Sequence, residues 1–415
     1  MHRSQDSTYD MNFFQATFRS DYVPEHERSS FDSSDLVPSK ALVGVLALAL
    51  VLLASLAVRN ASAQSGSAVP FLQITPDSRQ AGMGGAGAAV ADDAFATFWN
   101  PAGLAYQTDT QVAFSHANWL PQLDANLYYE YLTGTYHLED IGTFGAQLTL
   151  FNKGETEQRT GFGETGVVGT FRSYDLALGA SYGRQLNDRF AVGGGLRMIY
   201  SKLAPSTNEV SSGTAFGVGL DLAGMYTPKP FTIKEYELTA KVGVNIQNLG
   251  PAITYSRANE PLPTTFRLGG SLSSDLDEYN RLTVAMDLAK KLVKAEPGED
   301  GAYNAQPFYK AMFTSWGSVP GQIGVDGEPE MLNALQQMNW SMGLEYWYDD
   351  LFALRTGYYY ESPNNGDRQH LSFGAGVRYN MIGLDMSYLY GLTNDNPMMN
   401  TVRLSLMLNL NKLEF

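Results

Sequence analysis

The sequence predicts an all-β fold: a transmembrane antiparallel β-barrel of about 14 strands with an N-terminal plug segment. Three observations carry this. Apolar residues alternate with polar or small ones from Thr110 to the end of the chain, as in Leu282, Val284, Met286 and Leu288 or Leu371, Phe373, Ala375, Val377 and Tyr379. The alternating runs are roughly 9 to 15 residues long, against about 5–6 for an ordinary strand and about 9–11 for one that crosses a bilayer. The connections between runs alternate between tight and long.

Composition fits that class. Of 415 residues, 44% are hydrophobic and only 17% charged, with 24 Tyr, 21 Phe and 41 Gly. Cysteine is absent, which excludes thiol catalysis, disulfides and cysteine metal sites. A net charge of −15 argues against nucleic acid as a partner, because phosphate contacts need a basic surface.

Residues 1–39 form a polar N-terminal extension, consistent with a start codon assigned too early. Residues 40–63 read as a signal peptide. Lys40 precedes an apolar run from Ala41 to Val58, and Ala61-Ser62-Ala63 forms a small-residue site with cleavage expected between Ala63 and Gln64. Residues 64–108 are too irregular for a spanning strand and are expected in or under the lumen as a plug.

Within that segment Gly82, Gly84 and Gly87 spell G-x-G-x-x-G, and Asp109 follows about twenty residues later, as in a dinucleotide site. Such a site needs a strand before the first glycine and βαβ units after it. Pro76-Asp77-Ser78 breaks the chain instead, and no βαβ unit follows. The expected role of Gly82, Gly84, Gly85 and Gly87 is close packing or tight turning, with Asn100 and Pro101 completing the plug motif. No cofactor is expected.

Residues 109–415 are assigned to the barrel, with strands expected near 110–118, 126–137, 141–152, 170–186, 189–203, 212–226, 236–248, 264–274, 279–290, 339–348, 351–361, 367–379, 380–391 and 399–411. Tight turns fall at Glu139-Asp140, Asn187-Asp188, Asp275 to Glu278, Asp349-Asp350 and Tyr379-Asn380. Long connections fall at 153–169, 249–263 and especially 291–338, where Pro329 to Met338 carries a short helical pattern. Short periplasmic turns opposite long outer loops indicate the outer membrane. Tyr128, Tyr136, Tyr346, Tyr348, Tyr358, Tyr360, Tyr388 and Tyr390 gather at strand ends, as in an interfacial aromatic girdle.

Alternation turns Asp175, Arg197, Asp221, Lys241, Arg267, Asp287, Glu345, Arg355, Arg378, Asp385 and Arg403 toward the lumen. Opposite signs on neighbouring strands suit a satisfied internal network, and a polar transport path is the sharper alternative. His116, His137 and His370 lack metal-ligand spacing, and no catalytic constellation stands out, so no enzymatic activity is expected.

Several blocks carry a family resemblance. FLQITPDSRQAGMGGAGAAVADDAFATFWNPAGLA (71–105), NLGPAITY (248–255), PTTFRLGGSL (263–272) and LEYWYDDLFALRTGYYYE (344–361) resemble the PorV family of the type IX secretion system. LSFGAGVRYNMIGLDMSYLY (371–390) and NTVRLSLML (400–408) do so as well. Asn100-Pro101-Ala102 also resembles the N-P-A motif of FadL-like outer-membrane barrels. The resemblance implies a non-enzymatic shuttle that takes exported clients, by their C-terminal signal domains, from the translocon barrel to the sortase-containing attachment complex. The alternatives are a FadL-like transporter of hydrophobic small molecules and a non-shuttle paralogue in the same system.

Overall fold

In a computed structural model of the protein, residues 66–123, 125–159, 166–204, 213–255, 258–297, 303–323, 329–392 and 396–412 are described. The polar extension, the signal segment and the Ala63–Gln64 cleavage position lie outside them.

The barrel strands are β1 (Gln111–Asn118), β2 (Tyr128–Leu138), β3 (Gly142–Arg159), β4 (Val167–Asn187), β5 (Phe190–Lys202), β6 (Thr214–Tyr226) and β7 (Tyr236–Leu249). They continue as β8 (Thr265–Asp275), β9 (Asn280–Lys291), β10 (Met338–Tyr348), β11 (Phe352–Tyr360), β12 (Gln369–Tyr379), β13 (Ile382–Gly391) and β14 (Val402–Asn409). Each pairs antiparallel with its sequence neighbours, and β1 closes the ring on β14 with Gln111 opposite Asn409. The result is a closed barrel of 14 strands.

Alternation sets the two faces. On β1, Ala113, Ser115 and Ala117 are buried, whereas Phe114 is 40% exposed. Leu178 (52%), Leu196 (59%), Leu354 (63%) and Leu404 (54%) likewise point outward. Leucines so exposed around a whole barrel are stable only against lipid. Tyr136, Tyr348, Tyr388 and Tyr390 stand on this outer face near strand ends.

The tight turns have local causes. Asp140, Asp349, Asp350 and Asn380 adopt φ between 49° and 62°, the left-handed region that tight hairpins require. These turns share one end of the barrel with Gln111 and Asn409. The long connections share the other end, which is the extracellular one by the rule of short periplasmic turns.

Three expectations change. The loop expected at 153–169 is mostly strand: β3 runs 18 residues and β4 21, continuing past a register shift between Asn152 and Glu155. The helical pattern at Pro329–Met338 forms a strand, Pro329–Leu332, and then a turn. There Asn333 Oδ1 accepts from the amides of Leu335 and Gln336, a local bond that competes with helix. The last strand, expected to run to 411, stops at Asn409, and a 3-10 turn, Leu410–Lys412, follows.

The long connection between β9 and β10 is folded. It contains hairpins Ala295–Pro297 with Tyr303–Ala305 and Val319–Ile323 with Pro329–Leu332, and between them a helix, α3 (Phe308–Thr314). Two shorter helices, α1 (Ser78–Gly82) and α2 (Ala96–Trp99), and 3-10 turns Pro70–Gln73 and Pro101–Tyr106 make up the segment before β1.

Candidate functional site

Residues 66–108 lie inside the barrel and bond to its inner face on several sides. The Ser78 amide donates to Ser405 Oγ on β14, and the Gly84 amide to Ser372 Oγ on β12, both at 2.9 Å. Thr97 Oγ1 lies 3.0 Å from Thr133 Oγ1 on β2, and Asn245 Nδ2 on β7 donates to the Trp99 carbonyl at 2.9 Å. Outward, the Ala68 amide donates to the Pro261 carbonyl in an outer loop; at the periplasmic end Thr143 Oγ1 donates to the Gln107 carbonyl.

Local chemistry shapes this segment. Asp77 caps α1, Oδ2 accepting from the Gln80 amide at 2.8 Å, while Oδ1 accepts from Trp99 Nε1 at 2.7 Å. One carboxylate thus starts a helix and fixes the largest buried ring. Asn100 Oδ1 accepts from the Ala102 amide and its Nδ2 donates to the Ala88 carbonyl; Pro101 follows at the first position of the 3-10 turn.

The glycines work by close approach. Gly84 has φ 68°, and a Cβ there would sit 2.7 Å from the Tyr358 carbonyl oxygen. One on Gly357 of β11 would meet the Gly84 amide at 2.1 Å, so the two backbones pass where neither tolerates a side chain. A Cβ on Gly87 would lie 2.3 Å from the Trp99 ring, and one on Gly82 3.1 Å from Gly374 Cα. Gly85 has φ 83°. The Gly87 and Ala88 amides, which a pyrophosphate would need, both donate to Asp287 Oδ2 at 2.9 Å. Asp109 instead accepts from Asn409 Nδ2 at 2.6 Å.

All eleven lumen charges face inward, and ten have ion-pair partners. Glu345 and Arg355 stand opposite each other in register at 2.6 Å. Arg355 then reaches Asp385 on β13 at 2.8 Å, passing over β12 where Gly376 leaves room, and Asp385 pairs with Arg378 at 2.6 Å. Arg197 pairs with Asp221 (3.0 Å), Arg267 with Asp287 (3.5 Å), Asp175 with Lys153 (2.6 Å) and Lys241 with Asp92 (3.8 Å). Arg403 makes no hydrogen bond or ion pair with a described residue.

The residue that ties segment to wall went unread in the sequence. Arg79 donates to both carboxylate oxygens of Glu345 at 2.9 Å and to Asp92 at 2.7 Å, with Asp93 at 3.3 Å. It lies outside the strands, so alternation could not find it. Burial pushes the Asp93 carboxyl up to about 6, Asp77 and Asp92 adding to the effect and Arg79 opposing it.

Between this segment and the outer mouth lies a cavity of about 420 Å³. Gly84, Gly85 and Trp99 line its floor, Trp119, Phe151 and Tyr359 its walls, with Arg267, Lys291, Arg368, Arg403 and Glu361 the charged groups. In the connection between β9 and β10, α3 exposes Tyr309 and Phe313, the latter 78% exposed. Among the described residues no group of histidines and carboxylates could hold a metal ion.

Residues 58–298, more than half of the chain, match the family described as PorV, type IX secretion system protein PorV. No curated protein matches. Among solved structures, the toluene transporter TodX of Pseudomonas putida is similar at TM-score 0.44 and 15% identity, over 84% of this chain and 98% of that one. A Pseudomonas aeruginosa FadL homologue is similar at 0.41 and 12%, over 81% and 98%. The toluene transporter TbuX of Ralstonia pickettii is similar at 0.43 and 12%, over 80% and 98%. The family match and the closed strand barrel together identify the chain: it belongs to the PorV family and is an outer-membrane component of the type IX secretion system.

Proposed function

We propose that the protein is a non-enzymatic shuttle. It binds the C-terminal signal domains of exported clients at the cell surface and carries them from the translocon barrel to the sortase-containing attachment complex. The family match carries this reading. The layout of the chain supports it, because the folded connection between β9 and β10 and the extended β3–β4 hairpin both rise at the outer end. There they meet a client that has already crossed.

A transporter of hydrophobic small molecules would need a way through the barrel. The N-terminal segment is bonded to β2, β7, β10, β12 and β14 across that path, which speaks against it. The test is deletion of the gene, followed by fractionation of cells and medium. A shuttle predicts clients that are secreted or retained unanchored, while translocon and sortase remain present. Normal anchoring rejects the shuttle and leaves the non-shuttle paralogue. A pull-down from outer membranes then asks whether translocon, sortase and client signal domains each co-purify.

A further inference from the structure

We propose that the cavity above the N-terminal segment is a binding site for a small organic anion, a carboxylate or phosphate carried on a compact apolar body. Its charged lining opposes the chain as a whole. Arg267, Lys291, Arg368 and Arg403 face it against the single carboxylate of Glu361, in a protein of net charge −15. Arg368 is neutralised by Glu361, Nε lying 2.5 Å from Oε2. Arg267 is shared with Asp287 at 3.5 Å, so Lys291 and Arg403 are the cations left without an ion pair among the described residues.

Arg403 is the strongest observation. Its residue is only 4% exposed, its Nε has no hydrogen-bond partner, and no carboxylate among the described residues lies within ion-pair distance; buried Asp77 acts on it only at longer range, its oxygens accepting from the Gln80 amide and Trp99 Nε1. A guanidinium taken out of water without an anion is costly, whereas one that meets a carboxylate or phosphate gains charge-assisted hydrogen bonds. Two more buried polar atoms, on β8 and β12 residues that line the cavity, also lack a hydrogen-bond partner. Arg267 has an unpartnered Nε, and its Nη1 reaches Asp287 only at 3.5 Å. His370, 7% exposed, has an unpartnered Nδ1 and stacks on Tyr359 with ring centroids 4.9 Å apart. Every other lumen charge of the predicted set has an ionic partner.

The remaining lining sets the body of the ligand. Trp119, Phe151 and Tyr359 give an aromatic wall beside the cations, and a volume of about 420 Å³ falls within the range that holds a small molecule. The lining residues at the ends of β8, β9, β10, β11 and β12 place the cavity toward the outer mouth, so the ligand enters from outside the cell.

The experiment is calorimetric titration of the full-length protein in nanodiscs at low ionic strength, with benzoate, phenyl phosphate and neutral benzyl alcohol as probes. The expected result is saturable binding of at least one anion, about tenfold or more tighter than benzyl alcohol. Whichever anion binds more tightly names the head group. Arg403→Gln should weaken that anion about tenfold and leave benzyl alcohol unchanged, while Arg403→Lys keeps part of the affinity. Heat-modifiable migration in gels establishes that each variant is folded. If Arg403→Gln does not fold, Lys291→Gln replaces it with the same expectation. Anions that bind no tighter than benzyl alcohol, or that bind a folded cation-deleted variant as well as the parent, overturn the proposal.

Discussion

At the scale of single residues, the interior depends on a few positions where charge or volume has no slack. Glu345 is held by Arg79 from the N-terminal segment and by Arg355 from the neighbouring strand. Glu345→Gln takes one carboxylate from Arg355, which keeps Asp385, and from Arg79, which keeps Asp92 and Asp93, and should cost about 1.5–3 kcal/mol, read as a lower urea midpoint of the refolded barrel. Gly84→Val puts a branched side chain at φ 68° against the Tyr358 backbone, and Gly357→Val fills the same contact from the other side. Each should cost about 1–3 kcal/mol or more and reduce the folded fraction, seen as loss of heat-modifiable migration. Asp93 gives a pH dependence. Burial pushes its carboxyl up to about 6 in the folded protein, above the ordinary aspartate value of about 3.9 that holds in the unfolded chain, so the folded state holds the proton more tightly. Its contribution to stability is therefore present at low pH and lost as pH rises through about 6. Relative to the parent, Asp93→Asn should gain stability between pH 4 and pH 7, by up to about 3 kcal/mol. A difference between the two proteins that stays flat with pH would refute this.

Among the elements, the strands were legible in the sequence and the pieces between them much less so. Period-two alternation is imposed by lipid outside and a packed lumen inside, and all fourteen runs appear as strands. Turn residues such as Asp349-Asp350 were readable because few residues accept their backbone angles. Helices α1 and α2 have five and four residues and exist by virtue of contacts with the barrel, so no periodic signal could reveal them. The Pro329–Met338 pattern misled because strand pairing with Val319–Ile323 overrode a weak local preference. Arg79 and Asp77 were missed for the same reason: tertiary contact gives them their roles. Helix α3 carries the proposed contact with clients to an experiment. Phe313→Asp with Tyr309→Asp changes only exposed rings. Barrel folding should be unaffected and client anchoring should fall severalfold, measured by surface labelling of clients; unchanged anchoring would remove α3 from the contact surface.

For the whole molecule, an even number of strands brings β1 and β14 back to the same, periplasmic, end. The N-terminal segment does not share that symmetry. It leaves the outer loops at Ala68, bonded to Pro261, and reaches the periplasmic end by Gln107, bonded to Thr143. Because the chain has no cysteine, single replacements report their side of the membrane cleanly. Gly66→Cys should react with an impermeant maleimide on intact cells, and Asp188→Cys, in a periplasmic turn, only after the outer membrane is broken. The polypeptide therefore makes one passage more than its strands provide, and the two ends of the described chain face different compartments. A ring cannot be threaded cheaply once it is shut. The N-terminal segment should therefore be in place before the ring shuts, so that the barrel closes around a length of its own chain already laid through it.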